Sequence, residues 1–299
     1  ARVPMRIKRI GTRAPFDLFL ENSNIRITGS LLVPEEIKIE GSSSHDDFNF
    51  LSSKYKRMID DRNSVKIHIA NARKQKKAKE VQRLQTLYKS YPDSILWMTK
   101  QYVRANPKSV AAAYFVCSLS QSVDIEKLEE IINLFDIEIE YSPYVQYLNQ
   151  ELLLKKKLAI GMSAPDFCIR TFLGDSVGLS NYSGKYLFVD FGASWIESTR
   201  ERIGKLKNIR EAYDGDGFDV LSVFLDDDKK IWHNYLETVG LVPWRLACDF
   251  KYWNSPMTKY YRVTSIPYGV LISPDGRIAL VDPSFGVLNT YLKKKLKEK

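Results

Sequence analysis

The spacing of apolar positions changes twice along this chain. Phe16-Asp17-Leu18-Phe19-Leu20, Ile25-Arg26-Ile27-Thr28 and Ile37-Lys38-Ile39 read as short strands, the last two alternating with period two. Glu21-Asn22-Ser23-Asn24 is a turn cluster between the first two, and Gly41 closes the third. Three such strands bury too little by themselves, so they need covering or further strands upstream. Ser42-Ser43-Ser44-His45-Asp46-Asp47 is a loop ending in helix-capping residues. From there the period lengthens. Phe48, Leu51, Tyr55, Met58 and Ile59 share one helical face, and the pattern runs on to Leu84, Leu87 and Tyr88, uneven only at residues 65–69. Tyr91-Pro92-Asp93-Ser94 is expected to break it and to cap a next helix through Arg104, which Asn106-Pro107 ends. Ser109, Asp124 and Ser142-Pro143 then start three more helices, the last with proline at its first position.

The texture changes again at Leu158. Ala164-Pro165-Asp166-Phe167 opens a strand, and Leu173-Gly174-Asp175 is a turn. Residues 186–191 and 218–225 are near-continuous apolar runs of the kind buried on both faces of a central sheet. Helical patterns follow them at about 197–213 and 229–239. Residues 268–272 and 277–281 flank the hairpin turn Pro274-Asp275-Gly276, and a last helix is expected at about 287–297. This order predicts an α/β domain with a mixed central sheet and helices on both faces, preceded by a partial β-sheet and a helical segment. The boundaries read as 1–45 for the partial β-rich region, 46–157 for the helices and 158–299 for the α/β domain. No repeat of fixed period links the helices.

Composition narrows the function classes. The 299 residues, 44% hydrophobic and 12% aromatic, are long enough for two domains and rich enough for ordinary cores. Three cysteines exclude a disulfide scaffold and leave at least one thiol free. His45, His68 and His233 stand apart from one another and from any cysteine at ligand spacing, so a zinc site is not expected. No run approaches the ~18–20 apolar residues of a membrane span. The net charge of +9 lies mostly in front: residues 1–160 carry 26 basic and 19 acidic groups, residues 161–299 carry 19 and 17. The excess peaks at Arg73, Lys74, Lys76, Lys77, Lys79 and Arg83. Such a run is either a solvated helix face or a surface for nucleic acid or an acidic membrane. No helix-turn-helix or aromatic-interleaved RNA motif accompanies it, so nucleic acid is not the expected partner.

Five segments in order resemble the thioredoxin fold, and more narrowly the TlpA-like thiol–disulfide oxidoreductases with their peroxiredoxin-related cousins. They are Gly161-Met162-Ser163-Ala164-Pro165-Asp166-Phe167, Leu179-Ser180-Asn181-Tyr182-Ser183-Gly184-Lys185, Val189-Asp190-Phe191-Gly192-Ala193-Ser194-Trp195, Ser265-Ile266-Pro267-Tyr268 and Ile272-Ser273-Pro274-Asp275-Gly276-Arg277-Ile278. The resemblance covers residues 158–299. Residues 16–51 resemble the end of a β-rich domain of unknown function that precedes TlpA-like domains in envelope proteins of Gram-negative anaerobes. Arg104-Ala105-Asn106-Pro107-Lys108-Ser109 with Ala111-Ala112-Ala113-Tyr114 is similar to the helical segment between the two. The resemblance implies a periplasmic or cell-envelope location with a signal segment removed, possible membrane attachment through a segment absent from this chain, and no cofactor.

The departure from the family lies where its chemistry lies. The resemblance places a Cys-x-x-Cys directly after Trp195, at a helix start that lowers the first thiol's pKa. Here Ile196 stands at the first cysteine position and Thr199 at the second. Isoleucine has no nucleophile, and an unaided threonine hydroxyl is far too weak an acid to attack a disulfide. Thiol–disulfide exchange at these positions is excluded by chemistry. Asp190 matches the family's buried acid; it is expected to have a raised pKa and to be satisfied by Thr199 or a buried water. Cys117, Cys168 and Cys248 are expected as buried structural thiols, Cys248 being the candidate for a displaced nucleophile because it adjoins a loop. Glu197, Arg200 and Arg202 read as an exposed ion-pairing surface. Trp195, Ile266, Pro267 and Tyr268 match the groove in which the family pairs an extended peptide with backbone beside its cis-proline; Trp195 and Tyr268 either face solvent there or pack on each other. Two functions follow. One is a redox-inactive binder of a polypeptide or envelope protein. The other is a thiol oxidoreductase or peroxidase working through Cys248 or Cys168.

Overall fold

The computed structural model describes residues 3–7, 16–30, 33, 36–213, 215, 217–240 and 242–297. It divides into two compact units, Ala1–Leu154 and Lys155–Lys299.

In the first unit the strand-type runs form two antiparallel pairs, not one sheet. Strand β1 (Val3–Ile7) pairs with β2 (Phe16–Leu20), and β3 (Arg26–Thr28) with β4 (Lys38–Glu40). Phe19 carries β2 into the helical core, its ring 5.1 Å from Phe48 and 5.8 Å from Tyr114. Helix α1 (Ser43–Lys74) is capped by the Ser42 hydroxyl, which accepts from His45 N at 3.1 Å. It reverses at Gln75–Lys77 into α2 (Ala78–Ala105).

Two expectations fail in this hairpin. The turn falls inside the basic run, where neither glycine nor proline marks it; Lys76 takes the left-handed conformation at φ +55°. Conversely, α2 passes through Pro92. Proline costs a helix one hydrogen bond and a clash with a carbonyl one turn back. Here Ser90 and Ser94 donate to nearby carbonyls of Leu87 and Ser90, and apolar residues on both sides of the proline, Leu84 and Ile95, are buried in the unit's clusters. Tertiary packing thus holds a helix that local propensity would end. Helices α3 (Val110–Leu119), α4 (Ile125–Ile132) and α5 (Pro143–Lys157) start at Ser109, Asp124 and Ser142, as their caps predict.

The second unit holds a hairpin, β5 (Cys168–Arg170) with β6 (Ser176–Gly178), and a five-stranded sheet. The sheet strands are β7 (Tyr186–Gly192), β8 (Phe218–Phe224), β9 (Arg245–Cys248), β10 (Tyr268–Ile272) and β11 (Ile278–Val281), in the spatial order β11-β10-β7-β8-β9. β7, β8 and β9 run parallel; β10 and β11 run antiparallel to them. The sheet is mixed, as the order of elements predicts.

Its helices are α6 (Glu197–Ala212), α7 (Lys229–Val239), α8 (Pro256–Tyr260) and α9 (Phe285–Leu292). The steps β7 to β8 to β9 go in one direction, so two right-handed crossovers put α6 and α7 on the same face. There Ile203, Leu206, Trp232, Leu236, Leu288 and Leu292 pack on Phe188, Val220 and Phe224. The other face is closed by the short α8 and by the β5–β6 hairpin, through Met257, Ile169 and Val177 against Val189, Phe191 and Leu221.

Candidate functional site: a helix start without thiols

Strand β7 ends at Gly192, and the chain passes through Ala193, Ser194 and Trp195 to Ile196, the N-cap of α6. Ile196 makes no side-chain cap bond. Thr199, in the first turn, is buried, and its hydroxyl accepts from Ala193 N at 3.3 Å. Gly192 makes this possible: a Cβ there would lie 2.7 Å from Thr199 Cγ2 and 3.0 Å from its Oγ1. Thr199 therefore plugs the strand end and ties down the loop.

Asp190 is 2% exposed and lies in the sheet between Ser222 of β8 and Gly269 of β10. Its protein partner is not Thr199 but Arg202, whose Nε donates to Asp190 Oδ1. The expected partner is wrong because of helical spacing. Arg202 follows Thr199 by three residues and so shares the inward stripe of α6 with Ile203 and Leu206. For the same reason Arg202 does not belong to an exposed surface with Glu197. Arg200 does face outward, donating to Thr238 Oγ1 at 2.8 Å. The Arg202 guanidinium lies 5.0 Å from the Phe285 ring and 5.8 Å from Phe188. Gly269 leaves room for it, since a Cβ there would stand 2.7 Å from Arg202 Nη2 and 2.3 Å from Phe188 Cζ. Burial pushes the Asp190 carboxyl up to about 6, against the downward pull of Arg202.

A second carboxylate escapes the sequence reading. Asp226, two residues after the end of β8, is buried and accepts from Ser194 N at 3.1 Å and from the Ser194 hydroxyl. Burial raises its pKa, and the Ser194 bonds oppose the rise. The signal available was Asp226-Asp227-Asp228 at the C-terminal edge of a parallel strand, where sites in α/β folds gather.

None of the three thiols lies at this helix start. Cys248 is 4% exposed; its Sγ donates to Asp226 O at 3.5 Å and accepts from Phe250 N at 3.4 Å. Burial, with a lesser push from Asp226 and Asp249, raises it to about 12. A thiol so protonated is a poor nucleophile near neutrality, which removes the ground for Cys248 as a displaced catalytic group. Cys117 is likewise raised to about 12, chiefly by burial, and donates to Tyr144 O at 3.5 Å. Cys168 is exposed rather than buried, because it alternates with inward-facing Ile169 on β5. Among the described residues no group of three or more His, Cys, Asp and Glu side chains could hold a metal ion.

Trp195 is 45% exposed, and its ring lies over Tyr252 at 5.3 Å. Tyr252 is itself 41% exposed and stands edge-on to Trp253 at 6.1 Å. The Ile266–Pro267 bond is cis. Ile266 and Tyr268 pack against the core, Tyr268 with its ring 6.1 Å from Phe191. The expected choice of Trp195 and Tyr268 both facing solvent or pairing with each other is replaced by two separate pairs. Tyr268 sits opposite Phe191 in the β10–β7 register, so both side chains point to the same face of the sheet.

Residues 184–278 match the family model described as thioredoxin-like. The C-terminal unit is a thioredoxin-like domain. Its sequence is 25% identical over 128 residues to the thiol-disulfide oxidoreductase ResA of Bacillus subtilis, a match spanning 42% of this chain and 69% of that protein. It is 24% identical over 140 residues to the ResA of Geobacillus kaustophilus, spanning 47% and 76%. A thioredoxin-like protein from Bacteroides caccae, 17% identical, superposes with a TM-score of 0.51 over 72% of this chain and 83% of its own, a likeness of fold. Within the thioredoxin-like domain the loop after β7 and the first turn of α6 form the candidate site, which holds Ile196 and Thr199 and no thiol.

Proposed function

We propose that this chain is a redox-inactive TlpA-like protein of the cell envelope that binds an extended polypeptide, or a segment of a partner protein, at the start of α6. The observation that carries the reading is the pairing of two features at one place. The helix start presents Ile196 and a plugged Thr199, while Trp195 and Tyr252 beside it stay half exposed. Relatives are named thiol-disulfide oxidoreductases; an exposed aromatic pair beside a helix start that lacks a nucleophile supports binding without exchange. Aromatic side chains at such an edge contribute contact area at little entropic cost.

The experiment has two arms. Insulin reduction by the full chain should stay at the level of the buffer with dithiothreitol alone. Reduced, carboxymethylated α-lactalbumin carrying a fluorophore should bind, and Trp195→Ala should weaken that binding about ten-fold, the range of an interface anchor. Turnover of insulin, or binding that ignores Trp195→Ala, would sink the reading. The double substitution Ile196→Cys with Thr199→Cys should add a reducible disulfide to the otherwise unchanged site, because Ile196 is the N-cap and Thr199 lies in the first turn of α6.

A further inference from the structure

The first unit carries a feature that polypeptide binding by the thioredoxin-like domain leaves unexplained. Helices α1 and α2 have 32 and 28 residues, so they are about 48 and 42 Å long at 1.5 Å per residue. Their proximal halves, through Leu51, Tyr55, Ile95 and Val103, share a core with Phe115, Val116, Leu128 and Ile131 of α3 and α4. Their distal halves form a separate cluster of Val65, Ile69, Ala72 and Leu84 with Val81, Tyr88 and Tyr91, all from α1 and α2. Beyond that cluster the hairpin ends in exposed cations.

Residues 73–83 hold Arg73, Lys74, Lys76, Lys77, Lys79 and Arg83 against one acid, Glu80. Glu80 is taken by Arg83 at 2.8 Å. Arg73, Lys74, Lys76 and Lys79 form no ion pair among the described residues and are exposed. Folding does not call for this arrangement. A helix start favours a short polar cap and acidic residues, yet α2 starts at Lys77 with no side-chain cap bond and has Lys79 beside its one acid, Glu80, in the first turn. Like charges this close also repel one another. Arg73 and Lys74 suit the C-terminal end of α1, but Lys77 and Lys79 oppose the start of α2, so helix stability alone does not account for the whole run.

We propose that the tip of the α1–α2 hairpin is a docking surface for an anionic lipid bilayer. Charge complementarity gives the partner its sign, and the shape of the tip selects its class. Two helices of roughly 10 Å diameter side by side make a blunt end about 20 Å wide. That end is too broad for the ~12 Å major groove of duplex DNA. No Phe, Tyr or Trp lies between Tyr55 and Tyr88, so the tip has no platform on which bases could stack. A flat sheet of phosphates lets all the cations of the turn engage together. Lysine, a compact point charge on a flexible stem, supplies four of the six and suits a diffuse anionic plane better than a shaped site. The contact needs no apolar insertion and acts through the headgroup region, where each cation strengthens binding about five-fold.

The test is flotation of the full chain with vesicles of phosphatidylcholine alone and of phosphatidylcholine with phosphatidylglycerol. Binding is expected only to the anionic vesicles and should fall steeply as salt is raised. The variant Lys74→Gln, Lys76→Gln, Lys77→Gln, Lys79→Gln should lose about 600-fold in affinity, four cations at about five-fold each. A charge-matched control, Lys229→Gln, Lys230→Gln, Lys251→Gln, Lys259→Gln, takes the same charge from exposed positions of the other unit and should lose far less. All eight sites are exposed, and equal circular dichroism and melting temperatures would show that both variants fold. Equal loss in both variants, binding to neutral vesicles, or no binding to anionic vesicles at low salt would overturn the proposal. So would tighter binding to duplex DNA or RNA than to the anionic vesicles. None of these results bears on insulin reduction or on Trp195→Ala, so the two readings fail separately.

Discussion

Replacing Arg202 with methionine isolates the buried charge beneath the candidate site. Methionine keeps an unbranched apolar stem and removes the guanidinium that holds Asp190 and lies over Phe285 and Phe188. The Asp190 carboxyl sits at about 6 in the native protein against an ordinary value of 3.8, so burying its charge already costs on the order of 3 kcal/mol at neutral pH. Removing one partner of a buried pair leaves the other uncompensated, at about 3–5 kcal/mol. The sign with pH follows from linkage. A carboxyl raised in the native state binds its proton more tightly there than when unfolded. Its favourable contribution is thus complete below the unfolded value near 4 and is lost as pH rises through 6. Without Arg202 the folded value climbs further and the loss extends to higher pH. Urea unfolding of both proteins between pH 4 and pH 8 reads this directly. The variant should be less stable by several kcal/mol at pH 8, and the gap should narrow as pH falls towards 4. A gap that stays constant across that range would refute the account, because a simple packing defect does not titrate.

Three other outcomes can be measured. Gly269→Ala places a methyl 2.3 Å from Phe188 Cζ and should cost about 1–3 kcal/mol in thermal unfolding, with Arg202 displaced. In the folded protein Ellman's reagent should label Cys168 rapidly, half-buried Cys117 far more slowly and buried Cys248 only on unfolding, since burial raises the pKa of the last two. Ser194→Ala removes the hydroxyl bond to Asp226 and keeps the one from Ser194 N, and should lower stability by about 1–3 kcal/mol while leaving Cys248 as slow to label as before.

The order of elements in the second unit was legible because each buried strand is a continuous apolar run and each turn has its own chemistry, as at Pro274-Asp275-Gly276 between β10 and β11. The helix starts at Ser109 and Ser142 were legible because a cap is a local hydrogen bond between residues three apart. The hairpin reversal at Lys76 was not, for a lysine in the left-handed region has no marker in the sequence. Nor was the passage of α2 through Pro92, which depends on what packs around it.

At the site, the sequence by itself determined what chemistry is missing. The residues after Trp195 are Ile196 and Thr199, and no fold can give them a sulfur. Only the tertiary structure decided how the remaining groups are used. Asp190 meets Arg202, Asp226 meets Ser194, and Trp195 meets Tyr252, at separations of 12, 32 and 57 residues along the chain. The type of each side chain limits the bonds it can make. Which partner arrives within hydrogen-bond reach depends on sheet register and on which face of α6 turns inward, and those are settled by packing across the whole domain.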